Sequence, residues 1–251
     1  MEAIYPKVGC CGFPLNKPEF ARRFPVAEVQ QTFYQPPKKQ ETLKRWRAEV
    51  RPEFEYTLKA WQLITHPATS PTYRRVTSKL AKDELECCGS FQDSLIVHEA
   101  WLNTKACAQA LGAKLVLFQC PPSFAPTLQN ISQMKKFFAK VKRDDLTFLW
   151  EPRGYWTEEV IERLCRELNL IHAVDPFLNH TVTPEFVYYR LHGGKDFRHV
   201  YSEKQMRNLL NIIPAGKPSY IMFNNIAMLE NATRFQDMAE TLKHTQELEL
   251  H

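Results

Sequence analysis

The chain has 251 residues, 44% of them hydrophobic and 24% charged, an ordinary globular composition that excludes disorder, a collagen-like repeat and a long coiled coil. Glycine is scarce, at 8 residues against a usual share of about 7%, which leaves little raw material for a glycine-rich nucleotide fingerprint. A net charge of +5 is too small to mark a nucleic-acid surface by its sum; only local clustering would do so.

No apolar run approaches the roughly 18 residues of a membrane span, and Met1 to Val8 lacks the apolar stretch of a secretory signal. The expectation is a soluble, cytoplasmic protein with no membrane partner. The seven cysteines include no C-x-x-C spacing, which argues against a zinc ribbon and a paired disulfide framework. The adjacent pairs Cys10-Cys11 and Cys87-Cys88 read as independent free thiols.

Taken in chain order, the predicted strands are Lys7 to Cys11, Ala27 to Tyr34, Glu55 to Trp61, Ala113 to Cys120, Leu146 to Glu151, His172 to Asp175, Phe186 to His192 and Pro218 to Asn224. Helical stripes separate most of them. Thr72 to Leu85 and Ser90 to Leu111 enlarge the third unit; Thr127 opens a stripe of Ile131, Met134, Phe138 and Val141. Thr157 precedes Val160, Ile161, Leu164, Cys165 and Leu168, and Ser202 with Gln205 has capping-box spacing before Met206, Leu209, Leu210 and Ile213. Ala232, Phe235, Ala239 and Leu242 form the last stripe, whereas Pro176 to Glu185 is too short and too β-branched for a regular sixth helix.

Repeated strand-helix units imply a parallel sheet, since each crossover returns the chain in the same direction. About eight strands in about 250 residues is the typical size of a (β/α)8 TIM barrel, here irregular and spanning residues 1–251 as a single domain. No internal repeat or linker divides it.

Successive side chains on a strand alternate between the two faces of the sheet. In the seventh strand Tyr188, Arg190 and His192 take the inward parity; in the fifth, Leu149, Glu151 and Arg153 do; in the third, Lys59 and Trp61; in the fourth, Gln119; in the second, Glu28, Gln30 and Thr32. All but Glu28 lie in the C-terminal half of the predicted strand, at the mouth where barrel active sites sit. Asp175 and the Asn224-Asn225 pair end the sixth and eighth strands and join that rim. The competing reading is a purely structural charge network, Lys59 with Glu28 or Arg153 with Glu151.

The segment Arg190-Leu191-His192-Gly193-Gly194-Lys195 sets two polar side chains before two glycines and a lysine, an arrangement suited to an anion, or else a turn needing positive φ. Thr65-His66-Pro67 offers a general acid or a helix cap. His192, Glu151 and Asp175, with His66 or Glu28, could converge as nitrogen and oxygen ligands of a divalent metal, with no H-E-x-x-H or H-x-H spacing behind them. Phe33, Tyr34, Trp61, Tyr155 and Trp156 lie near strand ends beside Lys59, Arg153 and Arg190, and would stack a base or sugar ring or serve as core lids. Five of the eight glycines, Gly9, Gly12, Gly154, Gly193 and Gly194, gather at the predicted mouth.

Six ordered motifs carry a family resemblance. Ala27-Glu28-Val29-Gln30-Gln31-Thr32-Phe33-Tyr34, Lys59 with Thr65-His66, Phe118-Gln119-Cys120-Pro121-Pro122, Glu151-Pro152-Arg153, Tyr189-Arg190-Leu191-His192-Gly193, and Phe223-Asn224-Asn225 with Ala232 resemble the motif series of the YecE-like proteins. That is a domain family of unknown function, and the resemblance implies a TIM barrel without implying an activity. The chain departs from the family pattern at Gln30, usually asparagine, at Cys10-Cys11, usually small and hydroxyl-bearing, and at Pro152, usually leucine.

The expectation is therefore an enzyme acting on an anionic small molecule or a nucleic acid. Glu151 or Glu28 with His192 would do acid-base work; Lys59, Arg153, Arg190, Gly193 and Gly194 would hold the anion, while Gln119, Asn224, Asn225, His66, Asp175 and Tyr34 would complete the site. No cofactor is called for. The alternatives are a metal-dependent phosphodiesterase or nuclease and a non-catalytic single-stranded nucleic-acid-binding protein. Oligomeric state leaves no trace in the sequence.

Overall fold

Eight parallel strands pair in chain order and close, the last against the first, into a barrel in a computed structural model that describes residues 5–194 and 196–249. The elements are β1 (Lys7–Cys11), α1 (Lys17–Arg23), β2 (Val26–Val29), α2 (Gln31–Tyr34), α3 (Glu41–Ala48), β3 (Glu55–Lys59), α4 (Gln62–Thr65), a 3-10 turn at Pro71–Arg75, α5 (Lys82–Glu86), α6 (Leu95–Leu111) and β4 (Leu115–Gln119). There follow α7 (Leu128–Lys140), β5 (Thr147–Glu151), α8 (Glu158–Leu168), β6 (Ile171–Val174), β7 (Val187–Leu191), α9 (Glu203–Asn211), β8 (Ser219–Phe223) and α10 (Met228–Glu249).

Alternation along these strands makes two cores. Cys11, Val26, Leu115, Leu117, Leu149, Ala173, Tyr188, Tyr220 and Met222 fill the barrel, while a larger cluster packs between strands and helices. The helical stripes are buried at their centres in three helices: Met134 and Phe138 of α7, joined by Phe137, then Ile161, Leu164 and Cys165 of α8, and Met206 and Leu209 of α9. The Ser202 capping box forms, with Ser202 Oγ accepting the Gln205 N–H at 3.3 Å and the Gln205 side chain accepting the Ser202 N–H at 3.0 Å. Leu242, assigned to the last stripe, is instead 47% exposed.

Three sequence boundaries are corrected. The second strand stops at Val29, paired with Leu58, because no ladder partner follows; the backbone then satisfies itself in α2, where Phe33 N–H donates to the Gln30 carbonyl at 3.1 Å. Glu28 consequently lies near the C-terminal end of its strand, at the mouth. Thr72 to Leu85 is not one helix but the 3-10 turn and α5, and α6 begins at Leu95, capped by Ser94. Between β6 and β7 no helix forms, as the composition of that stretch suggests.

All seven cysteines are free, and only Cys87 is exposed. Among the described residues no helix is long and apolar enough to cross a membrane.

Candidate active site

Arg190 leaves β7 at an inward position and is 1% exposed. Its Nε and Nη2 donate to Glu28 Oε2 and Oε1 at 3.0 and 2.7 Å, and its Nη1 donates to Glu151 Oε2. The Tyr188 hydroxyl, two residues earlier on the same face, donates to Glu28 Oε2 at 2.8 Å, and the Gln30 amide donates to Oε1. Four donors on two oxygens fill the acceptor capacity of Glu28. Thr57 completes the chain by donating to the Tyr188 oxygen at 2.8 Å, since the phenolic proton is already committed.

Glu151 is the branch point. Its Oε1 meets His192 Nε2 at 3.0 Å and Arg153 Nε at 2.7 Å. Asn224 Nδ2 lies 3.0 Å from His192 Nδ1 and, as a donor, selects the imidazole tautomer whose Nε2–H points to Glu151. Arg153 is the loosest member of the group: its side chain is 30% exposed, its Nε–H is not aligned on any acceptor, and its Nη2 sits 2.6 Å from His192 Nε2, where two donors compete for one carboxylate. The charge network that sequence reasoning held as the competing view is thus formed between Arg153 and Glu151, but not between Lys59 and Glu28.

The electrostatics follow from burial and these partners. Burial pushes the Glu151 carboxyl upward, but Arg190, Arg153 and the His192 hydrogen bond outweigh it and hold the group well below the usual carboxylate range. Burial also opposes the Arg190 charge, and Glu151 with Glu28 more than restores it. His192 is lowered by burial, partly offset by its hydrogen bond to Glu151, and so is neutral at pH 7. Lys59, buried at the end of β3, has its amine 3.6 Å above the Phe33 ring. Burial and Arg190 bring it down to about 7, against the pull of Glu151 and Glu28.

The other expected residues fall into two groups. Gln119 ends β4 in register with Glu151, and Asn224 is held on His192, so both belong to the mouth. His66 caps α4, bonds Thr65 Oγ1 through Nδ1 at 2.8 Å, packs on Phe33, and is driven by burial and by Lys59 down to about 3. Asp175 spends its two oxygens on backbone, accepting the Phe177 N–H at 3.1 Å and the His192 N–H at 3.0 Å. Asn225 donates to the His199 carbonyl at 2.8 Å and braces a loop. Tyr34 lies away from the Arg190 cluster, under the Arg75 guanidinium at 3.5 Å.

Two sequence expectations do not survive this geometry. Gly193 is not open to an anion, because its N–H donates to the Tyr201 hydroxyl at 2.8 Å and its carbonyl accepts from His199. Gly193 is needed for a different reason: its φ is +71° and a Cβ there would lie 2.6 Å from the Asn225 Cβ. Lys195 lies outside the described residues. The aromatic residues do not form one stacking platform either, since Phe33 is buried beneath the Lys59 amine beside Tyr34 and His66, Trp61 and Trp156 are built into the outer core or against it, and Tyr155 is 99% exposed.

The metal set fares likewise. Among the described residues no group of three or more His, Cys, Asp or Glu side chains forms that would hold an ion. The donor chemistry explains why: the oxygens of Glu28 and Glu151 face guanidinium, hydroxyl and imidazole donors, and the Arg190 charge occupies the space between them.

Sequence reasoning missed one feature. Where the sixth helix is absent, a cleft of about 230 Å³ runs from Glu151, Arg153 and His192 to His172 and Asn179, walled by Trp156. His172 sits on the outer side of β6, accepts the Val182 N–H at 3.3 Å, and is lowered by burial to about 4. A histidine at the outward parity of a strand without a following helix is the signal that would have found it.

The model of the DUF72 family, described as proteins of unknown function, matches residues 16–250. No curated protein sequence matches the chain. Among solved structures, a DUF72 family protein from Enterococcus faecalis V583 superposes with a TM-score of 0.70 at 18% identity, covering 94% of this chain and 98% of that one. A D-psicose 3-epimerase determined with D-fructose gives 0.59 at 10% identity, covering 94% and 98%. Endonuclease IV from Thermus thermophilus gives 0.54 at 13% identity, covering 94% and 100%. At these identities the likeness is one of fold.

Proposed function

The chain belongs to the DUF72 family, and we propose that it is an enzyme that takes an anionic, sugar-sized substrate, phosphorylated or part of a nucleic acid, at the C-terminal mouth and transforms it by acid-base chemistry. The observation that carries this reading is Glu151, which shares one oxygen between His192 and a partly exposed arginine at the edge of an open cleft. Carboxylate, imidazole and guanidinium converging where solvent enters is a costly arrangement for a purely structural network, which would do better with all its donors aligned.

The residues divide by how free they are. Glu28 and Arg190 have every polar direction committed, so they hold Glu151 in place and keep it ionised. Arg153 has an unaligned N–H and access to solvent, and is the contact for a phosphate or carboxylate. Released from Arg153 by such an anion, Glu151 and His192 act as the pair that removes and returns a proton, with Asn224 fixing the imidazole. The neighbours named as a sugar epimerase and an endonuclease agree with a sugar-bearing ligand, as an analogy of fold.

The test is calorimetric titration and turnover with ribose 5-phosphate, fructose 6-phosphate and abasic oligonucleotides. Arg153→Ala is expected to weaken binding of the productive ligand at least tenfold, and Glu151→Gln to abolish turnover while leaving binding within a few-fold. Binding and turnover untouched by both substitutions would overturn the proposal. A metal-dependent phosphodiesterase would instead show turnover that appears on adding divalent ions and vanishes with chelator.

A further inference from the structure

The acid-base reading leaves the buried amine of Lys59 without a task. Lys59 is 6% exposed, at the inward-facing C-terminal end of β3, the position from which a side chain reaches the mouth. A buried ammonium ordinarily has a carboxylate partner, and two carboxylates stand in the same mouth. Yet Glu28 is saturated by Arg190, Tyr188 and Gln30, and Glu151 is taken by Arg190, Arg153 and His192. Among the described residues no carboxylate comes within ion-pair distance of the Lys59 amine; its neighbour is the face of Phe33, 3.6 Å away. The arginines have claimed both acids.

We propose that the Lys59 amine is a covalent nucleophile for a carbonyl group, so that the substrates of this mouth are anionic aldehydes or ketones. This rests on the preceding reading of the mouth as an anion-binding active site, and it adds the substrate class. The free amine attacks the carbonyl carbon with its lone pair, giving a carbinolamine; the hydroxyl then leaves as water with a proton from the nitrogen, and an imine joins Lys59 to the former carbonyl carbon. Protonation of that imine makes an electron sink, beside which a proton removed by the Glu151–His192 pair leaves its electrons stabilised.

The surroundings supply what the step needs. The amine must be unprotonated in part at neutral pH, and burial with the Arg190 charge favours that, while Glu151, Glu28 and the Phe33 ring favour the ammonium. Arg153 and His66 face the same region, the first adding positive charge and the second remaining neutral.

Glyoxylate, a small aldehyde with its own carboxylate, is the probe. The full-length protein is incubated with it between pH 6 and 9, reduced with sodium borohydride, whose hydride converts the imine to a stable secondary amine, and mapped by peptide mass spectrometry. The expected result is one adduct, on Lys59, forming with a midpoint near the value of about 7 given above rather than the usual lysine value of about 10.4. Lys59→Arg and Lys59→Gln are expected to lose it while keeping the native circular dichroism spectrum. Adducts scattered over surface lysines, with Lys59 unlabelled, overturn the proposal, as does labelling of Lys59 with an ordinary lysine pH profile. The two readings fail separately: phosphate-ester binding that depends on Arg153 in a protein that traps nothing on Lys59 removes only the covalent step, whereas trapping on Lys59 with no effect of Arg153→Ala removes only the anion site.

Discussion

Arg190 is gripped by Glu28 through two parallel hydrogen bonds, Nε to Oε2 at 3.0 Å and Nη2 to Oε1 at 2.7 Å, with both side chains essentially out of contact with solvent. A guanidinium so held cannot turn toward a ligand. Its remaining nitrogen fixes Glu151, so the pair positions the carboxylate that lines the cleft.

Arg190→Met leaves two buried carboxylates with their shared cation removed. Breaking a buried ion pair this way costs about 3–5 kcal/mol, which for a chain of this size lowers Tm by roughly 6–20 °C. Adding Glu28→Gln to Arg190→Met should recover part of the loss, because one stranded charge is then neutral. Thermal unfolding by calorimetry decides it, and a single variant melting within about 2 °C of the parent would contradict the packing described.

Lys59 carries the opposite sign. Its folded value of about 7 lies below the unfolded value of about 10.4, so the folded state binds fewer protons between these limits. The penalty is absent above the unfolded value, grows as pH falls, and is full below the folded one. Lys59→Met should therefore stabilise the protein by about 2–4 kcal/mol at pH 7, and by about 2 kcal/mol less at pH 9. Urea unfolding at the two pH values measures the difference; a destabilised Lys59→Met at pH 7 is the contrary outcome.

The buried histidines predict acid sensitivity well above the carboxylate range. His172 and His66 are held at about 4 and about 3 against an unfolded value of about 6.5. Stability is complete above the unfolded value and falls as pH drops below it, levelling for each group only past its folded value. His172→Asn, which keeps an acceptor for the Val182 N–H, should remove about 1.4 kcal/mol of slope per pH unit between pH 6 and 4.5. Denaturant titrations across that window test it, and an unchanged slope would show that His172 is not held neutral.

Tyr201→Phe deprives the buried Gly193 N–H of its acceptor, which lies at 2.8 Å. An orphaned buried donor costs about 1–3 kcal/mol, and the loop that carries His192 should loosen. The expected readout is faster amide exchange at residues 192–194 with little change elsewhere. Gly193→Ala should do more damage, since it meets both the positive φ and the Asn225 side chain.

Much of the site was legible because parity is a local property. Lys59, Glu151, Arg190 and His192 stand at inward positions near strand ends whatever the barrel's closure, and the structure finds them there. Which of them is free to act was not legible. Arg190 reads from the sequence as an anion contact, and the Gly193-Gly194 turn as a cradle, because a sequence does not display the partner that consumes a donor; Glu28 lies 162 residues from Arg190, and Tyr201 takes the Gly193 N–H from across a turn.

By itself, then, the sequence determined the barrel: strand and helix periodicities, capping signals and the polar residues of the mouth are set by neighbours a few positions apart. Only the tertiary structure decided how the charges are shared. Hydrogen-bonding capacity is finite and strand closure chooses who competes for it, so that two arginines took both carboxylates, a lysine was left against a phenylalanine ring, and the missing sixth helix became a cleft.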